Sequence, residues 1–168
     1  MLFFQIPLGC NNFHHEIELG VIISKKCSRI TKDQAMDHVG GYCLALDMTA
    51  RDFQEYAKAK GQPWELAKAF DTSLPVSEFI GKDVIPDPGN VELVCKVNGE
   101  LRQKENTNKL ICPIPDMIEY ISQYFTLEEG DLILTGTPAG VGPCKEGDTI
   151  EGEIPGITHF KFPIVKRK

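Results

Sequence analysis

Apolar residues recur at every second position through Ile17, Leu19, Val21 and Ile23, which predicts a β-strand over residues 16–24. Strand signals return along most of the chain. Residues 3–8 read as an edge strand closed by Pro7 and Gly9, and residues 42–48 as another strand. Residues 91–103 read as a hairpin turning at Asn98-Gly99. Strands are also expected at 131–135, 149–154 and 159–165. Helical signals are fewer and shorter. Thr31-Lys32-Asp33-Gln34 fits a capping box opening a helix to about Val39, which Gly40-Gly41 should break. Thr49 is placed to cap a second helix through Ala59, stopped by Gly61 and Pro63. Pro115 suits the first turn of a third helix reaching about Tyr124. Helices that interrupt strands so irregularly argue against a doubly wound sheet. The expected fold class is α+β, with a strongly bent mixed sheet.

Composition narrows this picture without supplying a function. A chain of 168 residues is most simply one domain, 1–168, and 42% hydrophobic with 25% charged residues is an ordinary globular balance. The net charge of −6 and the lack of a basic stripe speak against nucleic acid as a partner. Lys166-Arg167-Lys168 reads as a solvated terminus. No apolar run reaches the length of a membrane span. Residues 1–7 resemble neither a signal peptide nor a transit peptide. The six cysteines are scattered with no C-x-x-C pair, so zinc and thioredoxin-like readings gain nothing. Cys43 and Cys95 look like small core residues, and a reducing compartment fits best.

The candidate chemistry lies on the first long strand. Glu16 and Glu18 project from one face, ~7 Å apart along the strand. Two desolvated carboxylates side by side repel, and a bound cation relieves both penalties. Oxygen ligands suit Mg²⁺, Mn²⁺ or Ca²⁺ better than zinc. Taken alone, an isolated E-x-E pair is better read as a strand with one wet face, so the case for an ion must come from elsewhere in the chain. Asp47, poorly suited to a strand, could complete an all-oxygen site, or could simply open a turn. Arg51 and Gln54 share a helix face at i, i+3, suited to an anionic substrate or to plain solvation. Lys68, in an apolar setting, either meets an anion or snorkels. The stretch Gly136-Thr137-Pro138-Ala139-Gly140-Val141-Gly142 lacks the lysine of a P-loop and the spacing of a dinucleotide fingerprint; its glycines would let backbone approach a small anion or form a turn. His14 and His15 are possible ligands or bases, although His15 should face away from Glu16.

Five blocks, HHEIELGVII (14–23), VGGYCLALDMTARDFQ (39–54), PWELAKAFD (63–71), KVNGELRQ (96–103) and LEEGDLILTGTPAGVGP (127–143), together resemble the fumarylacetoacetate hydrolase family. They run in family order from about Asn11 to near the end of the chain. The resemblance implies the β-roll of the fumarylacetoacetase C-terminal-domain type, a homodimer and a mitochondrial location, with the cytosol as a further possibility. It implies that Glu16, Glu18 and Asp47 bind Mg²⁺, with Mn²⁺ able to substitute. It implies that Arg51, Gln54, Lys68 and Thr137 contact substrate, with Lys68 and Gln54 taking part in catalysis. The implied activity is metal-dependent cleavage of C–C bonds in pyruvoyl compounds, as acylpyruvate hydrolysis and oxaloacetate decarboxylation, with oxaloacetate keto–enol tautomerisation as an alternative. Family members also carry a Y-x-x-H-x-x-E-like motif, whose His/Glu pair activates water, and an F-x-K-P-like lysine. The present sequence starts beyond both. Hydrolysis is therefore expected to suffer more than decarboxylation, and apolar surface to be left for association. The rival reading is a metal- or oxo-acid-binding module without catalysis, pairing with a complete subunit. A structural Ca²⁺ domain is the weakest reading, since no EF-hand loop is present.

Overall fold

The computed structural model describes residues 4–167 and is α+β. Its strands in chain order are β1 (Phe4–Ile6), β2 (Phe13–His15), β3 (Ile17–Ile23), β4 (Val39–Leu46), β5 (Thr49–Ala50), β6 (Ile80–Gly81), β7 (Glu92–Val97), β8 (Glu100–Asn106), β9 (Leu132–Leu134), β10 (Gly142–Cys144), β11 (Thr149–Ile154) and β12 (Thr158–Lys166). The helices are α1 (Lys32–Ala35), α2 (Arg51–Lys60), α3 (Glu65–Lys68) and α4 (Ile114–Tyr124). The strands form three sheets, ordered β1-β12-β11-β7-β8, β10-β2-β5 and β6-β4-β3-β9.

One consequence of this topology positions the site. β2 and β5 pair antiparallel in the three-stranded sheet, and their continuations β3 and β4 pair antiparallel at the centre of the four-stranded one. Two chain segments therefore cross the same seam between sheets, one at Glu16 and the other at Asp47-Met48. The segments are bonded there, Asp47 N–H donating to the Glu16 carbonyl at 2.9 Å. The strand expected over 16–24 thus begins at Ile17, and Glu16 separates it from β2. An aspartate that would disfavour a strand stands where the backbone leaves one.

Alternation along β3 suggested one wet face, but both faces are covered. Ile17, Leu19, Val21 and Ile23 are buried, and so are Glu18 and Gly20 between them. A Cβ on Gly20 would come within 2.6 Å of the Cys43 sulfur, so glycine is required for β3 and β4 to pack as they do. Gly40 and Gly41, expected to break a helix, lie inside β4 instead. A Cβ on Gly41 would meet the Ile80 carbonyl of the neighbouring β6 at 2.4 Å. The preceding helix is brief: α1 passes at Met36 into a 3₁₀ turn ending at His38. Thr31 and Gln34 form the expected capping box, the Thr31 N–H donating to Gln34 Oε1 at 3.1 Å.

The other elements sit close to expectation. β1 is an edge strand, parallel to β12. The β7–β8 hairpin turns through Asn98 and Gly99 with φ of 53° and 81°, the left-handed pair that a two-residue I′ turn needs. Pro115 lies in the first turn of α4, whose Ile114 and Ile118 are buried. Cys43 and Cys95 are core residues. Among the described residues no helix is long and apolar enough to cross a membrane.

Candidate active site

Glu16, Glu18 and Asp47 converge at the seam. One carboxylate oxygen from each lies within 4.8 Å of the others. Glu18 is buried at 4% exposure and receives the Gly136 N–H at 2.5 Å. Glu16 and Asp47 are partly open to solvent.

The charged groups expected to face substrate are here too. Lys68, on the short helix α3, places Nζ 3.0 Å from Glu16 Oε2 and 2.7 Å from Asp47 Oδ2, and donates to Thr49 Oγ1 at 2.7 Å. Arg51 opens α2 and donates through Nη2 to Glu16 Oε1 and through Nη1 to Gln54 Oε1, each at 2.7 Å. This is the i, i+3 pairing the helix was expected to give. Thr49 is not a helix cap; α2 is preceded by Ala50. The Thr49 hydroxyl is buried and donates to Glu16 Oε1 at 3.0 Å while accepting from Lys68, so it belongs to the site.

Thr137 follows Gly136 in the loop after β9. Its hydroxyl donates to the Ile17 carbonyl and accepts from Gln103 Nε2, both at 2.8 Å. That proton is already engaged, which leaves the loop rather than the free hydroxyl facing Glu18. A cavity of about 400 Å³ adjoins this loop, lined by Gly136, Thr137, Leu93, Leu110 and Ile111 among others. A larger one of about 690 Å³ lies beside Tyr42 and Ile114, and none of the three carboxylates lines either cavity. His15 turns away from Glu16, its Nδ1 bonding Gln103 Oε1 at 2.8 Å, and His14 Nε2 bonds Asn12 Oδ1 at 2.8 Å.

The electrostatics fit a cation. Burial pushes the Glu18 carboxyl up to about 7, and the Asp47 and Glu16 carboxylates push the same way against the Gly136 N–H. Burial also raises Asp47, outweighing its hydrogen bond to Lys68. Burial acts upward on Glu16 as well, but the Lys68 charge and hydrogen bonds from Lys68, Arg51 and Thr49 hold it below the usual range. Three carboxylates face two cationic side chains, leaving one negative charge over. Among the described residues no lysine or arginine pairs with Glu18. The Lys68 ammonium already stands between two of the three carboxylates, as a tethered substitute for an ion. An all-oxygen donor set with surplus negative charge suits Mg²⁺ or Mn²⁺.

Comparison with known proteins agrees with this geometry. The profile of the family described as Fumarylacetoacetate (FAA) hydrolase C-terminal matches residues 3–165. The chain belongs to the fumarylacetoacetate hydrolase family. It is 54% identical over 161 residues to human "Oxaloacetate tautomerase FAHD1, mitochondrial", covering 96% of this chain and 73% of that protein. It is 54% identical over 165 residues to "Oxaloacetate decarboxylase, mitochondrial" of Dictyostelium discoideum, covering 98% and 76%. Among solved structures, fumarylpyruvate hydrolase from Pseudomonas aeruginosa in complex with Mn²⁺ and pyruvate superposes with a TM-score of 0.95 at 36% identity, covering 99% of this chain and 72% of that one. These family relatives act on small oxo acids, and that solved structure carries a divalent metal.

Sequence reasoning missed Thr49 and Gln103 as parts of this region. Thr49 offered a signal in standing two residues beyond Asp47. Gln103 offered none, since its burial, alone on a strand otherwise exposed or half-buried, is visible only in the structure.

Proposed function

We propose that this chain is a divalent-metal-dependent enzyme of small 2-oxo acids, acting on oxaloacetate through C3 enolisation. Decarboxylation and keto–enol tautomerisation are the two outcomes, and C–C cleavage of acylpyruvates is a related activity. The observation that carries this reading is the Glu16–Glu18–Asp47 cluster, negatively charged beyond its internal cations and flanked by Arg51, Gln54 and Lys68.

Glu16, Glu18 and Asp47 would hold the ion, Mg²⁺ with Mn²⁺ able to substitute. When bound, it supplies Lewis-acid polarisation of the 2-oxo group. Arg51, braced by Glu16 and Gln54, presents its remaining N–H groups to a substrate carboxylate. Lys68, beside the same carboxylates, would offer its ammonium to the substrate oxygen that gains charge. In decarboxylation the C3–C4 bond breaks, CO₂ leaves, and a proton returns to C3. In tautomerisation C3 loses a proton while the 2-oxo oxygen gains one. The Lys68 ammonium would give the proton that returns to C3 in decarboxylation; in tautomerisation it would give one to the 2-oxo oxygen, and the amine so formed would take the one that C3 loses. The cavity beside Thr137 is the room offered to a longer acyl substituent.

The test uses metal-stripped protein refilled with Mg²⁺ or Mn²⁺. Oxaloacetate is followed by pyruvate release and by enol absorbance, and acetylpyruvate is run alongside. Both oxaloacetate reactions should require the ion and collapse in Asp47→Asn. Rates no higher than the metal-catalysed background without protein would sink the reading. We also propose a mitochondrial homodimer: Ile111, Tyr124 and Phe125 are exposed apolar residues suited to association. Light scattering that finds a monodisperse monomer, or fractionation that finds the chain outside mitochondria alone, would contradict it.

A further inference from the structure

Gln103 is the one residue of β8 whose side chain is fully buried, at 1% exposure, and all of its hydrogen-bonding capacity is used. Its Oε1 accepts from the Ile17 N–H at 3.1 Å and bonds His15 Nδ1 at 2.8 Å. Its Nε2 donates to Thr137 Oγ1 and to the Pro138 carbonyl, both at 2.8 Å. The orientation of the amide follows from chemistry: the Ile17 N–H can only donate and the Pro138 carbonyl can only accept, so a flipped amide would oppose both. The oxygen therefore faces His15, whose Nδ1 must carry the proton.

The partners are what give this amide its significance. His15 and Ile17 are the two chain neighbours of Glu16, and Thr137 and Pro138 directly follow Gly136, whose N–H binds Glu18. One side chain from a different hairpin thus holds the imidazole of one neighbour of Glu16, the backbone N–H of the other, and the loop that holds Glu18. Thr137 closes the circuit by donating to the Ile17 carbonyl. Gly140 presses the far end of the loop onto the same strand, a Cβ there coming within 2.0 Å of the Arg102 carbonyl.

We propose that Gln103 is a positioning residue of this site, its amide fixing where Glu16 stands relative to the 136–138 loop. The acceptor side of the amide sets the ligand geometry around the ion, and the donor side sets the loop against the oxo acid. This rests on the reading of the carboxylate cluster as an ion site.

Gln103→Met keeps the side-chain length and removes all four bonds. Expected are an Mn²⁺ Kd and a pyruvate Kd on the Mn²⁺-loaded protein each weakened about tenfold, as is usual when outer partners of metal ligands are lost. kcat for oxaloacetate should fall by less than roughly threefold while KM rises with the pyruvate Kd. Thr137→Val removes one of the two bonds from the amide to the loop, so the two substitutions together should weaken pyruvate binding by less than the product of their single effects. A purely structural glutamine would lower Tm and leave both dissociation constants within roughly twofold of the parent. That result, or strict additivity with Thr137→Val, overturns the proposal. Should Gln103→Met not fold, Gln103→Asn is read by the same titrations, since an amide one methylene shorter cannot span both sets of partners. A parent protein that binds no Mn²⁺ removes the ion-site reading and this inference together. A parent that binds Mn²⁺ while both Gln103 variants match it removes this inference alone.

Discussion

Glu18 gives the sharpest test of the electrostatics. In the metal-stripped protein its carboxyl is raised from the ordinary 4.5 to about 7. The folded state therefore holds a proton that the unfolded chain has released across that interval. For a carboxyl raised in this way, stability is fully present below 4.5 and is lost as pH rises through 7. A rise of this size corresponds to about 3 kcal/mol at most, and with only 4% exposure solvent screening takes little from it. Most of that loss develops between pH 5 and pH 8. Glu18→Gln keeps the shape, still accepts from Gly136 N–H, and removes the charge. Melted in chelator, the variant should match the parent near pH 5 and exceed it at pH 8 by roughly 5–10 °C in Tm for a chain of this length. With saturating Mg²⁺ the order should reverse, since only the parent recovers its stability by binding the ion. A parent-minus-variant difference that does not change with pH would refute the argument, whatever its sign.

Replacing Lys68 by Met should tighten Mn²⁺ binding by about fivefold, because a competing ammonium worth roughly 1 kcal/mol to the metal-free site has been removed. The same variant should lose oxaloacetate turnover by roughly 10²-fold or more, and calorimetry beside a steady-state assay reads both. Gly140→Ala places a Cβ against the Arg102 carbonyl at φ 99°, so melting should show a loss of at least about 1–3 kcal/mol. Native protein should react with a thiol reagent at Cys112 alone. The other five cysteines are buried, and burial drives Cys10, Cys95 and Cys144 up to about 12 and Cys43 to about 11. More than one fast-reacting thiol per chain would refute that.

The carboxylate cluster was legible in the sequence because its signals were local. Two glutamates spaced by one residue in an apolar strand, and an aspartate ending another, needed only the pairing of β3 with β4 to meet. The block-by-block family resemblance then named Arg51, Gln54 and Lys68; the fold brings Arg51 and Lys68 to the same carboxylates and Gln54 to Arg51. What stayed hidden depended on neighbours remote in sequence. Thr49 reads locally as a helix cap, and only the docking of α3 turns its hydroxyl into a partner of Lys68. Gly40-Gly41 reads as a helix stop until β6 packs against it and leaves no room for a Cβ. The break at Glu16 between β2 and β3 is invisible to a period-two pattern, because the two strands keep the same alternation while joining different sheets. Gln103 lies 86 residues from Ile17, whose backbone it holds.

The ammonium of Lys68, seated between Glu16 and Asp47, makes metal loading an exchange of one cation for another. A Na⁺ or K⁺ ion entering that position would bring no more charge than it expels, and would break three directional bonds from Nζ. A divalent ion adds a net charge to a cluster that is one short of neutral, and can reach Glu18, which the ammonium leaves unpaired. On the proposed ion-site reading the lysine would act as a valence filter: monovalent salt would gain nothing by displacing it, and an ion carrying two charges would.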